Sequence, residues 1–219
     1  MGIPNFTGGM WIGRRRGVNP GGEFRFDGVH YYLKRTNWMH MKSELLALDL
    51  YRECGLSVVP HFIVTIAGKP WLASKWVDGL RHVKESPTAA FPFFGASCWL
   101  ANGDVVNRTA NLSVDASGNG VLVDAGASLW FGACGGLKGR RGWDDRVPEL
   151  QTFRGDDKRP DRRDIWEGMT PGDFRDSLRR VANVDMNAVH RRVVRWDFPD
   201  DLFHGLAARR ETIRRRIQP

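Results

Sequence analysis

Apolar and polar residues alternate through "EFRFDGVHYYLKRT" about a central Asp27-Gly28, a pattern that predicts a β-hairpin. The pattern then changes period. In "HMKSELLALDLYRECGL", Leu45, Leu46, Leu48, Leu50 and Tyr51 form an apolar surface that leaves Glu44 and Glu53 on other faces. This predicts a helix with Ser43 near its N-cap and Gly55 closing it. "VVPHFIVTIAGKPWLASKWVDG" reads as two strands around a turn at Ala67 to Pro70. A Pro/Ser stretch from Glu85 to Pro92 reads as a linker, and "FFGASCWLAN" as a short buried helix. "NLSVDASGNGVLVDAG" predicts a further hairpin, turning at Ser117 to Gly120. From Pro148 onward the chain reads as helical. The clearest helices there are "TPGDFRDSLRRVANV", started by Thr170 or Pro171, and "FPDDLFHGLAARRETIRRRI", started by Asp200. The element order predicts an α+β fold in two lobes, a β-rich lobe with one helix over residues 1–80 and a small helical lobe over 81–219.

Composition narrows the function class. The 219 residues are 42% hydrophobic and include nine tryptophans, which suits a globular chain and excludes a disordered one. The net charge of +8 suits an anionic partner. Its clusters, Arg14 to Arg16, Arg140-Arg141 and Arg214 to Arg216, read as solvated faces, so a nucleic-acid partner is disfavoured. Cys54, Cys98 and Cys134 are scattered and odd in number, giving neither a zinc pattern nor a disulfide framework and pointing to the cytoplasm. No apolar run approaches the ~20 residues of a membrane span, and the start does not read as a signal peptide. The six histidines lack ligand spacing, and Walker and Gly-x-Ser-x-Gly patterns are missing.

The polar residues of the second hairpin carry the chemistry. Asp104 precedes it, Asn111 opens it and Asp124 ends its second strand. A hairpin brings its ends together, so Asn111 and Asp124 are expected to face each other. Their oxygens are hard ligands of the kind Mg²⁺ takes alongside phosphate and water. Asp104 is placed to orient an attacking hydroxyl. Each residue also has a plainer reading: Asp124 and Asp104 as turn or capping residues, Asn111 as a hairpin cap, Lys34 as a surface lysine, and the glycine loop as a tight turn.

Taken together, the order of parts resembles the protein-kinase-like fold. The parts are the "GVNPGG" loop from Gly17 to Gly22, Lys34 ending "YYLK", the helical Glu44, the segment from Ser74 to Asp78, Asp104, Asn111, and Asp124-Ala125-Gly126. The chain is similar to small bacterial and phage atypical kinase-like proteins, through "GVNPGG", "YYLK" and "VDAGASLWF", and more distantly to HipA-type toxin kinases and minimal effector kinases. The resemblance implies an ATP- and Mg²⁺-dependent phosphotransferase acting on a protein Ser/Thr hydroxyl in the cytoplasm of the producing cell or of a target cell. It implies that Gly17, Asn19, Gly21, Gly22 and Lys34 meet the phosphates, that Glu44 holds Lys34, and that Ser74, Trp76 and Val77 meet the adenine. Asn111 and Asp124 would hold the metal, with Asp104 as the catalytic base. The chain departs from the kinase pattern in four places. Asn102-Gly103-Asp104 stands for His-Arg-Asp, Ala125 replaces the Phe of Asp-Phe-Gly, Asp104 and Asn111 are seven residues apart, and Lys34 and Glu44 only ten, which leaves Glu53 as an alternative partner. A small-molecule kinase of antibiotic-phosphotransferase type and a non-catalytic basic nucleic-acid binder or pseudokinase are the rival readings.

Overall fold

The structure, a computed structural model, describes residues 2–13, 19–107, 111–132, 136–138, 143–153 and 165–218. Five antiparallel strands form the first sheet: β1 (Met10–Trp11), β2 (Gly21–Phe26), β3 (Val29–Lys34), β4 (His61–Ile66) and β5 (Lys69–Lys75), in the order β1-β2-β3-β5-β4. The β2–β3 turn places Asp27 and Gly28 at φ 47° and 76°, the left-handed pair that matches strand twist in a two-residue hairpin. Ala67 and Gly68 do the same between β4 and β5, at φ 49° and 72°.

The long helix α1 (Trp38–Glu53) starts earlier than its apolar pattern predicted. Asn37 caps it by accepting from the His40 N–H, and Ser43, expected at the cap, is a buried mid-helix residue. Residues 40–48 of α1 are buried without a break, so the helix is covered on every side rather than lying on a surface. Met41 and Leu45 pack against Leu72 of β5. Leu46, Leu48, Leu50 and Tyr51 join the main core, which they share with the C-terminal helices.

The stretch from Glu85 to Pro92, expected as a linker, is instead part of that core. Pro87–Phe93 winds as a 3₁₀-helix, and Ala90, Phe91 and Phe93 are buried. Its two prolines mark helical turns here, and its apolar residues outweigh the breaker signal. It leads into α2 (Phe94–Trp99) and the short α3 (Asp104–Asn107). A second sheet, β6 (Arg81–His82), β7 (Leu112–Val114) and β8 (Gly120–Leu122), holds the second hairpin. Among the described residues, four further helices follow: α4 (Glu149–Thr152), α5 (Pro171–Ala182), α6 (Met186–Arg195) and α7 (Asp200–Arg215). Thr170 and Asp173 form a reciprocal capping box at the start of α5. Arg209 of α7 is fully buried: it pairs with Glu149 at 2.8 Å and donates to the carbonyls of Cys98, Trp99 and Asp144.

Candidate functional site

The β2–β3 register sets Gly21 opposite Lys34 and Gly22 opposite Leu33, so the glycine loop ends beside the lysine. The Arg35 N–H donates to the Pro20 carbonyl at 2.8 Å and fixes the loop's exit. A Cβ at Gly21 would overlap the Leu33 carbonyl, which is why only glycine fits there. Asn19 sits at the bend before Pro20, while Gly17 lies outside the described residues.

Lys34 turns inward and is buried. Its ammonium stands 2.6 Å from Glu44 Oε1 and donates to Asp124 Oδ2 at 2.8 Å. Three residues far apart in sequence thus meet at one nitrogen. Glu53 does not compete, because it pairs with Arg192 of α6 at 2.9 Å.

One face of α1 organises the rest. His40 lies one helical turn before Glu44, and its Nε2 is 2.5 Å from the Gly126 carbonyl. A carbonyl only accepts, so Nε2 carries the proton and Nδ1 accepts from the Thr36 hydroxyl at 2.9 Å. Two turns beyond Glu44, the Tyr51 hydroxyl meets Ser97 Oγ and accepts from Asn102 Nδ2, both at 3.0 Å. Asn102 is fully buried, so this network holds the Asn102-Gly103 turn that leads into Asp104 at the start of α3.

Asp124 follows β8, with its side chain about a third exposed. Its Oδ1 accepts from the Gly126 N–H at 2.7 Å, closing the Asp124-Ala125-Gly126 turn. At Gly126 a Cβ would sit 3.1 Å from Asp124 Oδ1 and 3.2 Å from Glu44 Oε2, so any larger residue crowds both carboxylates. The Val123 N–H donates to the Asn111 carbonyl at 2.8 Å. Asn111 therefore stands opposite Val123, one residue from the pairing with Asp124 that the hairpin pattern predicted. The regular ladder stops at Leu112 and Leu122, and the chain turns out of the sheet before Asp124 is reached.

The electrostatics follow from one ammonium between two carboxylates. Burial would lower the Lys34 pKa, but Asp124 and Glu44 outweigh it and hold the ammonium above its ordinary value. Burial would raise Asp124, yet Lys34 and the Gly126 N–H bring its carboxyl down to about 2. Glu44 is pushed up to about 7 by burial and then by the Asp124 charge, against the pull of Lys34. Burial lowers both His40 and His61, the latter to about 4. An ionised Asp124 keeps spare lone pairs on its carboxylate, a hard oxygen ligand of the kind that fits Mg²⁺ completed by phosphate and water. Among the described residues, no three His, Cys, Asp or Glu side chains cluster as a protein-only metal cage.

Near the end of β5, Ser74 is buried opposite Tyr32 and His61. The N–H groups of Lys75 and Trp76 are committed to the carbonyls of Pro60 and His30 at 3.0 Å, and the Trp76 indole stacks on His30 at 4.2 Å. Val77 is exposed. Sequence reasoning missed His40 and Thr36, because the histidines were searched for metal spacing only. The four-residue step from His40 to Glu44 on one helix face was the available signal.

No protein-family model matches the chain, and no curated protein matches it. Among solved structures it is similar to the Helicobacter pylori proinflammatory kinase CtkA, with a TM-score of 0.56 and 15% identity over 98% of this chain and 94% of that one. The fold is kinase-like. A match to the N-terminal 618-residue fragment of LepB from Legionella pneumophila has a TM-score of 0.42 and 10% identity, over 88% of this chain and 45% of that one.

Proposed function

We propose that this protein is an ATP- and Mg²⁺-dependent phosphotransferase whose acceptor is a protein serine or threonine hydroxyl. The observation that carries the reading is the meeting of Lys34, Glu44 and Asp124 at one buried nitrogen, inside a kinase-like fold. A lysine held between two carboxylates is aimed and charged before any ligand arrives, which is the preorganisation that phosphate gripping needs.

In this reading residues 1–80 and 81–219 act as two lobes around the nucleotide. The loop from Gly17 to Gly22, with Asn19 and Gly21, covers the phosphates, and Lys34 grips them with Glu44 as its support. Ser74, Trp76 and Val77 border the adenine, with Val77 left to meet it at the rim. Asp124 and Asn111 would hold Mg²⁺, which supplies charge neutralisation at the transferring phosphoryl group. Asp104, fixed by the buried Asn102 turn, orients the acceptor hydroxyl and takes its proton. Catalysis rests on position and charge, with no covalent intermediate on the protein.

The test is purified protein with labelled ATP and Mg²⁺, with and without cell lysate. Autolabelling or labelled protein bands are expected, and both should vanish in Asp124→Ala. Labelled small molecules instead would point to an antibiotic-phosphotransferase type of kinase. No label in any fraction, or full activity in Asp124→Ala, would overturn the reading.

A further inference from the structure

The described residues include one partly buried cation outside this triad whose partners are the candidate loops themselves. After Leu129 the chain runs out and folds back, Phe131 bridging Leu137, and the Lys138 N–H donates to the Trp130 carbonyl at 2.8 Å. That return delivers the Lys138 side chain into the interior. Its ammonium donates to the Ala101 carbonyl at 2.5 Å and to the Ala127 carbonyl at 2.6 Å. Ala101 lies three residues before Asp104 and Ala127 three after Asp124.

The two loops are strained at the points where they are joined. Ala101 has φ 52° and Leu129 φ 57°, left-handed values that disfavour residues with a Cβ. The Leu129 N–H also donates to the Leu100 carbonyl at 2.7 Å. Such strain persists only where surrounding contacts over-determine it, and it gathers at functional sites. Here Lys138 and the Leu129–Leu100 bond are those contacts.

We propose that Lys138 is a positioning residue of the phosphotransfer site, its ammonium tying the Ala101 and Ala127 carbonyls together and so setting the separation between Asp104 and Asp124. The inference rests on the roles given to those two aspartates above. A neutral side chain of equal length leaves both carbonyls without their donor and lets the two strained loops relax apart. A displacement of an ångström at a catalytic group costs on the order of 10²-fold in rate.

The ammonium's surroundings supply a second readout. Burial brings the Lys138 pKa down to about 7, with Glu149 of α4 and Asp104 of α3 opposing that shift and Arg209 of α7 adding to it. The wild type should therefore lose kcat as pH rises through about 7. Arginine stays protonated throughout that range.

The experiment measures kcat, KM for ATP and the pH profile of the wild type, Lys138→Met and Lys138→Arg, using the full chain with Mg²⁺·ATP. Lys138→Met is expected to lower kcat by about 10- to 100-fold while KM for ATP stays within about threefold, because Lys34 and the glycine loop are untouched. Lys138→Arg is expected to recover part of the rate and to extend activity to higher pH. Wild-type kcat in Lys138→Met overturns the proposal and leaves the phosphotransfer reading standing. A wild type without ATP turnover overturns both, before any variant is made. Should Lys138→Met fail to fold, Lys138→Arg decides: an alkaline limb unchanged from the wild type overturns the proposal.

Discussion

Lys34 Nζ stands 2.6 Å from Glu44 Oε1, and both side chains are closed off from solvent. Removing either partner leaves an uncompensated buried charge, and removing the lysine also leaves Glu44 and Asp124 facing each other. Lys34→Met should reduce phosphotransfer by 10²-fold or more, on the order of what one preorganised electrostatic group supplies. Glu44→Gln should cost less, because Asp124 still holds the ammonium. Steady-state kinetics on the two purified variants, with circular dichroism as a check of folding, tests that order.

His40 joins α1 to the Gly126 turn, so His40→Ala strips a buried carbonyl of its donor. The expected stability loss is about 1–3 kcal/mol, read by urea denaturation. Activity should fall further than Thr36→Val makes it fall, since that change removes only the donor to His40 Nδ1 and leaves the Gly126 contact in place.

Glu44 and Asp124 give stability an opposed pH dependence. Glu44 is raised from 4.5 to about 7, so the native state keeps a proton that the unfolded chain releases. Its contribution is whole below about pH 4.5 and is lost as pH rises toward 7, by up to roughly 3 kcal/mol. Asp124 is lowered from 3.8 to about 2, so its contribution is present above pH 3.8 and lost as pH falls toward 2. Denaturation of the wild type and Glu44→Gln from pH 4 to 8 checks the first effect. The stability difference between them should drift across pH 4.5 to 7, and a constant difference would refute it.

Arg209 closes the helical core from inside. Arg209→Met leaves Glu149 charged and buried and deprives the Cys98 and Trp99 carbonyls of a donor. A loss of about 3–5 kcal/mol is expected, seen as a lowered melting temperature. At temperatures where the variant stays folded, activity per folded molecule should match the wild type, because Arg209 touches none of the proposed ligand contacts.

The strand and helix order was legible because each period was short-range: Asp27-Gly28 turns one hairpin, and the leucines of α1 mark one helix. Lys34, Glu44 and Asp124 were legible as an ordered set. Their convergence on one nitrogen was not, since 90 residues separate Lys34 from Asp124. The stretch before α2 was misread because Pro87 and Pro92 signal breaks locally, while the burial of Phe91 and Phe93 is decided by partners elsewhere. The one-residue offset at Asn111 was hidden because turn residues do not reveal where a ladder ends. His40 was passed over because its partner is a backbone carbonyl, which no side-chain motif records.

The outer contacts of α1 have a consequence for timing. Asp49 accepts from the Trp196 indole at 3.0 Å, Glu53 pairs with Arg192, and Lys42 pairs with Asp197 at 3.1 Å. Those partners are made roughly seventy residues after Asp124, at a synthesis rate of about 5–20 residues per second. For the intervening seconds a nascent chain would hold every charged residue of the proposed site and lack the brace that seats the helix bearing Glu44. Competence would then arrive late in translation, as a property of the whole chain, and a ribosome stalled before Met186 would display the parts of the proposed site without its grip.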